Sequence, residues 1–159
     1  MQISTIRFGS VEIDESKLIF FSDGLPGLEE YTQFVILQMA ENYPIFWMQS
    51  IENPAICLPV IDSFLAVPEY TFNISDEDVT ELEVSGPAEL YFLSILVIPE
   101  EMEGMTINLA APIIINIESG QAKQILLNGG EYSVRHPVFK EICRLIKEEV
   151  VDASSVKEG

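Results

Sequence analysis

Apolar residues recur at every second position in many short runs of this chain, and no other feature of the sequence constrains the fold as strongly. Side chains of a β-strand alternate between two faces, so such runs predict half-buried strands. Pro112 lies inside the last run and cannot donate a ladder hydrogen bond, so a bend, bulge or edge is expected there. The clearest predicted strands are Lys17–Phe21, Phe34–Met39, Ile45–Gln49, Ile56–Ile61, Leu90–Ile98 and Met105–Ile117.

Helical periodicity is clear in one place, after Pro137. A second, short helix is predicted near residues 76–83, because Ser75 is followed by acidic residues and can cap the first turn. The helix after Pro137 would present one apolar face to the sheet over about four turns. That face would be formed by Val138, Ile142, Leu145, Ile146 and Val150.

A β-hairpin is predicted between these two helices. Its strands would be Gln121–Asn128 and Tyr132–Arg135, joined by a turn at Gly129 and Gly130. Together these patterns predict a mainly β fold: one antiparallel, barrel-like β domain over residues 1–151, with the short helix near 76–83 and a C-terminal helix that caps it. Residues 152–159 are predicted to be a flexible tail, and the absence of a heptad seam favours a monomer.

The charge of the chain is strongly negative. There are 8 Lys and Arg against 26 Asp and Glu, a formal net charge of -18, and from Leu18 to Ala122 there is no Lys or Arg at all. Most carboxylates are therefore expected to lack a basic partner. Such a surface repels nucleic acid and anionic membranes and attracts basic proteins. Acidity also fits a surface that merely keeps the protein soluble, so charge alone identifies no partner.

The location of the protein is predicted from its first residues and its cysteines. The N-terminus lacks the basic and apolar regions of a secretory signal, and no apolar run is long enough to span a membrane, so we expect a cytoplasmic protein. Cys57 and Cys143 show no metal-binding or disulfide spacing, and both are predicted to be reduced core residues.

The sequence contains few residues or motifs that would support catalysis. The single histidine, His136, is expected to cap a helix or lie on the surface, and we find no nucleotide-binding or serine-nucleophile motif. We predict a protein that is not an enzyme and needs no cofactor. An enzyme using paired carboxylates is the weaker alternative, and it requires two acids facing each other in a pocket, one of them with a raised pKa.

Two acidic clusters are the candidate partner-binding residues. The first lacks the spacing and central glycine of a calcium loop, so a solvated helix face is expected there. The second places a flexible thioether among acids, which suits an adaptable binding surface. The turn from Asp23 to Glu29 is the next candidate. The clusters are Asp76, Glu77, Asp78 and Glu81, and Glu100, Glu101, Met102 and Glu103.

An ordered set of segments resembles the FliW family of flagellar assembly factors. The chain departs from the family pattern at Leu28, where Phe is usual, and at Ser63, where Pro often follows the aspartate. The similarity extends from about Ile19 to Arg135. The segments that carry it are Ile19–Glu29 (IFFSDGLPGLE), Phe46–Ser50 (FWMQS), Thr106–Ile113 (TINLAAPI), Gln124–Leu127 (QILL) and Tyr132–Arg135 (YSVR).

The resemblance implies a regulatory switch. Members of the family bind newly made flagellin and, once flagellin is exported, bind CsrA, an RNA-binding repressor of flagellin translation. Inhibition of CsrA would proceed either by occupation of its RNA groove or through a distant site, and the resemblance favours the second. A structural or chaperone module that binds flagellin only is the alternative.

Overall fold

The computed structural model describes residues 1–41, 43–84 and 89–147. Three helices are described, α1 (Ser63–Ala66), α2 (Asp76–Glu81) and α3 (139–147), and none of these is long and apolar enough to cross a membrane. The strands are β1 (Gln2–Thr5), β2 (Gly9–Glu12), β3 (Ile19–Phe21), β4 (Gln33–Leu37), β5 (Ile45–Ser50), β6 (Cys57–Asp62), β7 (Leu90–Val97), β8 (Thr106–Ile107), β9 (Ile113–Asn116), β10 (Gln121–Gln124) and β11 (His136–Pro137).

Seven strands close into a barrel, which confirms the predicted mainly β, barrel-like fold. Their order is β7-β6-β5-β4-β3-β10-β9, and β9 pairs back onto β7. The prediction of a wholly antiparallel barrel needs one correction, because β3 and β10 run parallel, with Ala122 opposite Phe21. Directions can alternate all the way round a closed barrel only if the number of strands is even, so a barrel of seven needs a parallel pair.

The predicted strand Met105–Ile117 is divided in two, as Pro112 indicated. Its halves β8 and β9 both pair with the long strand β7, at opposite ends of it. Between them Asn108 folds the chain into a turn, since its side-chain oxygen accepts hydrogen bonds from the amides of Ala110 and Ala111 at 3.0 and 3.1 Å. The break lets one segment serve both the barrel wall and the short strands beside it.

The hairpin predicted over Gln121–Asn128 and Tyr132–Arg135 is wrong. Both edges of β10 are already occupied, one by β9 and the other by β3, so no edge is free for a hairpin partner. The chain instead continues to β11, where His136 pairs with Ile107 of β8. The expectation that His136 caps a helix or lies on the surface is therefore also corrected: it is a half-buried strand residue, and α3 begins three residues later.

The barrel interior is closely packed and apolar. Phe21 and Phe34 are fully buried and meet edge to face, with ring centroids 5.5 Å apart. Met48 of β5, Val60 of β6 and Leu93 of β7 are also fully buried in this cluster. This core holds the wall strands in register, because a slip of one residue would turn each of these side chains to the other face.

A second core lies outside the barrel, under α3. Val138, Ile142 and Leu145 are buried there against barrel residues, as their helical spacing predicted. Val150, which was predicted on the same face, lies outside the described residues, as does the predicted tail 152–159. Cys143 is exposed, so its assignment to the core is wrong. It follows Ile142 directly and points about 100° further round the helix.

The first two strands form a separate hairpin that packs on the barrel. Strands β1 and β2 pair antiparallel, with Ile3 opposite Val11. Ile3 and Ile13 are buried against Val35 of the barrel strand β4. The hairpin therefore covers part of the barrel wall without joining its sheet.

Candidate partner-binding site

Helix α2 carries the first predicted cluster and is held against the barrel at both ends. At its start the Ser75 side-chain oxygen accepts a hydrogen bond from the Asp78 amide at 3.1 Å, which is the cap expected from the sequence. At its end Leu82 is buried against Ile114 of β9. This small contact fixes which acids face the barrel and which face solvent.

Lys123 of β10 neutralises part of this cluster. Its ammonium lies 2.7 Å from the Asp78 carboxylate, forms an ion pair with Glu81, and is 3.9 Å from Asp23. The expectation that acids between Leu18 and Ala122 lack a basic partner is therefore wrong at these three positions. Lys123 is the residue directly after that stretch, and only the barrel closure carries it to α2.

The ion pair shifts the pKa of both partners. The hydrogen bond that Lys123 donates lowers the pKa of Asp78, and the bonds that Asp78 and Glu81 accept raise the pKa of Lys123. Asp76 and Glu77 remain exposed. Within the described part of the chain, no three His, Cys, Asp or Glu side chains gather closely enough to hold a metal ion. Asp78 and Glu81 of the first cluster thus stabilise the fold, whereas Asp76 and Glu77 are open to a partner.

Replacing Asp78 by Asn should lower the free energy of unfolding by about 1 kcal/mol at pH 7, the value for a partly exposed ion pair. The pKa of Asp78 is lowered by folding, so its stabilisation is complete above the usual Asp pKa of about 3.9 and is lost as the pH falls through the folded value. The difference between the two proteins in urea unfolding should therefore disappear in acid.

Asp76→Asn is the matched control for this prediction. It makes the same change two residues earlier in the same helix, on an exposed residue that forms no ion pair with Lys123. We expect a loss of at most a few tenths of a kcal/mol. Equal losses from both variants would show that the ion pair contributes nothing to stability.

The second predicted cluster forms an exposed corner between β7 and β8. A single 3-10 turn, Met102–Gly104, shapes it, and the Met105 amide donates a hydrogen bond to the Met102 carbonyl at 3.0 Å. Met105 itself is buried and anchors the turn. Three carboxylates, at Glu100, Glu101 and Glu103, are exposed here, and no Lys or Arg of the described chain forms an ion pair with them. We call these three residues the acidic corner.

Met102, which lies between Glu101 and Glu103, lines an apolar groove of about 500 Å³. The groove lies where β5 begins and β7 ends. At its floor lies the largely buried Trp47 ring, and the exposed Arg7 guanidinium stacks over it, 3.9 Å from the ring centroid. The sequence predicted Met102 but missed the groove, because its residues come from three distant segments. We call it the methionine groove, and it is lined by Arg7, Met39, Ala40, Tyr43, Ile45, Trp47, Ile98 and Met102.

The two predicted clusters lie on different parts of the fold, because α2 packs against β9 and β10 whereas the acidic corner joins β7 to β8. The third candidate, the turn from Asp23 to Glu29, is shaped by its glycines. Gly24 has a φ of +70°, and a Cβ there would lie 2.6 Å from the Glu29 Cα atom, so only glycine fits. Asp23 contacts Lys123, and the other features seen in this turn concern its backbone shape.

The two departures from the FliW pattern both lie in well-packed places. Leu28 packs partly buried against the barrel core, where a larger side chain would need more room. Ser63 is fully buried at the start of α1, and its hydroxyl lies 2.8 Å from the Ser94 hydroxyl. Leu28 and Ser63 each fit the packing around them, so neither departure from the family pattern disturbs the fold.

The chain matches the family model for FliW protein over residues 2–138, a longer stretch than the predicted similarity. It is 41% identical to the flagellar assembly factor FliW of Caldanaerobacter subterraneus subsp. tengcongensis over 89% of this chain and 95% of that relative. With the flagellar assembly factor FliW of Syntrophomonas wolfei it shares 35% identity over 100% of both chains.

A solved structure gives the same result. A crystal structure of the flagellar assembly factor FliW superposes on this chain with a TM-score of 0.81 and 32% sequence identity, covering 87% of this chain and 97% of the other. Sequence and fold agree over nearly the whole described barrel, and the chain therefore belongs to the FliW family.

Proposed function

We propose that this protein is a cytoplasmic regulator of flagellum assembly that acts by binding. It holds newly made flagellin and, when flagellin has been exported, binds and inhibits the translational repressor CsrA. Flagellin synthesis is then coupled to flagellin export. Membership of a family whose relatives are named flagellar assembly factors carries this proposal.

The charge distribution supports a basic partner. The net charge is -18, and the acidic corner presents three carboxylates without a basic partner among the described residues. A repressor that binds RNA needs a positive surface, because most of its affinity comes from phosphate contacts. Opposite charges speed the encounter of the two proteins, and the same field keeps RNA away from this one.

Binding is favoured over catalysis by the carboxyl groups themselves. Among the described residues, the carboxyl groups whose pKa departs from its ordinary value are Asp14, Glu29 and Asp78, and all three have it lowered, mainly by hydrogen bonds from nearby donors. A carboxylic acid that donates a proton in catalysis needs the opposite shift. The lowered pKa values thus fit carboxylates that stabilise the fold or lie on the surface, and they do not fit a catalytic acid.

Two modes of inhibition fit this proposal. Either the acidic surface occupies the RNA groove of CsrA, or it binds elsewhere and weakens RNA binding through a coupling free energy, which is the mode that the resemblance favours. A chaperone that binds flagellin only is the alternative function. Filter binding of RNA to CsrA at increasing concentrations of this protein distinguishes the modes: competition raises the apparent Kd without limit, and coupling saturates.

The direct test is recovery of partners from a lysate of motile cells. The tagged protein should recover CsrA or flagellin, because the family role implies both. In calorimetry, the two purified partners should oppose each other, so that CsrA added to the flagellin complex binds more weakly than to the free protein.

The control is the same column with an unrelated protein of equal negative charge. Recovery of neither partner, with both present in the lysate, would refute the proposed function. Recovery of flagellin alone would support the chaperone alternative. Full-affinity binding of both partners at once would contradict the switch.

A further inference from the structure

Two of the five methionines of the chain face solvent at the methionine groove. Met39 is 62% exposed and Met102 is 44% exposed, whereas Met48 and Met105 are buried in the cores. Exposed methionines are unfavourable in water, and their flexible thioethers adapt to the shape of an apolar partner. Their place in one groove, on segments that are far apart in the chain, indicates a contact surface.

Acidic residues adjoin the groove residues in the chain. Glu41 follows the groove residue Ala40, and Glu101 and Glu103 lie on either side of Met102 in the chain. All three are exposed and form no ion pair with other described residues. Arg7, whose guanidinium stacks over the Trp47 ring, is the one cation among the lining residues. The groove therefore has a largely apolar lining with acids beside it in the chain, and we call these acids its rim.

This combination selects one kind of occupant. An apolar side chain fits the centre, and positive charges beside it match the rim, as in interfaces with an apolar core and a polar edge. A second copy of this chain would bring its own charge of -18 against the same rim, which is repulsive. Nucleic acid and anionic lipid are repelled in the same way.

We propose that the methionine groove is the docking site for a large apolar side chain that projects from a basic protein surface. The inference rests on the proposed function, within which the basic protein is the RNA-binding repressor. Met39 and Met102 close over the anchor, and the rim acids pair with its neighbours. The apolar anchor governs how long the complex lasts, because buried contacts set the dissociation rate.

The test compares two double variants by surface plasmon resonance against purified CsrA. Met39→Ser with Met102→Ser removes the apolar walls of the groove. Leu126→Ser with Val134→Ser is the matched control, since these residues are also exposed and apolar but lie outside the groove. The groove variant should dissociate from CsrA at least about tenfold faster with little change in association rate. The control should behave as the wild type.

The single tryptophan gives an independent readout. Trp47 labelled as 5-fluorotryptophan gives one fluorine resonance from the floor of the groove, and CsrA should shift it in the wild type. Unchanged thermal unfolding confirms that the groove variant is folded. If it is not, Met102→Gln, which keeps the side-chain length, replaces it with the same expectation of faster dissociation.

Failure of this inference is distinguishable from failure of the proposed function. A wild type that binds neither CsrA nor flagellin refutes the function itself. Wild-type binding of CsrA with unchanged dissociation in the groove variant, or with no shift at Trp47, overturns the groove alone. Selective loss of flagellin, or self-association of the wild type that the groove variant abolishes, assigns the groove to another occupant and also overturns the inference.

Discussion

Replacing Phe34 by Ala is expected to lower the free energy of unfolding by about 3–5 kcal/mol, the usual cost of removing a large aromatic side chain from a core. Phe34 is fully buried inside the barrel and packs edge to face on Phe21. The wall is closed, so the strands cannot collapse far enough to fill the cavity that the substitution leaves. Urea unfolding followed by circular dichroism measures the change.

Leu126→Ala is the control for this experiment. Leu126 is 68% exposed, and its truncation should change the free energy of unfolding by less than about 0.5 kcal/mol. A loss below about 1 kcal/mol for Phe34→Ala would contradict a close-packed barrel interior, because the transfer of the ring from water alone is worth more.

Neutralising the acidic corner is expected to slow association with CsrA about tenfold at low salt, within the range that electrostatic steering covers. The variant carries Glu100→Gln, Glu101→Gln and Glu103→Gln. Its association rate should also depend less on salt, while its dissociation rate changes little, because rim charges act on the encounter. Stopped-flow mixing at two salt concentrations measures both quantities.

The matched control removes the same charge elsewhere. Glu15, Glu118 and Glu131 are exposed glutamates in other turns, and their replacement by Gln leaves the same net charge as the corner variant. Equal slowing in both variants would show that net charge steers the partner. Wild-type rates in both would show that the corner only keeps the protein soluble.

Neutralising Asp76 and Glu77 should slow association less than neutralising Glu101 and Glu103, which removes the same number of charges from the acidic corner. These two acids lie beside the ion pairs of Lys123, whose positive charge offsets part of the local field. The acidic corner has no such cation among the described residues. A larger effect at α2 would place the encounter surface there.

Local patterns in the sequence determined the strands and helices of this protein. Period-two alternation located β3 to β7, Ser75 located the start of α2, and helical spacing located the buried face of α3. Pro112 marked the break between β8 and β9. Each of these features depends on residues that are close in the chain, which is why the sequence alone was sufficient to predict them.

The tertiary structure decided how distant residues meet. Closure of seven strands made β3 and β10 parallel and left no edge for the predicted hairpin. The same closure placed Lys123 against Asp78 and turned part of the expected free acid surface into an ion pair. The methionine groove likewise joins segments that are far apart in the chain. Such contacts depend on strand order and barrel closure, and neither can be predicted from the spacing of residues along the chain.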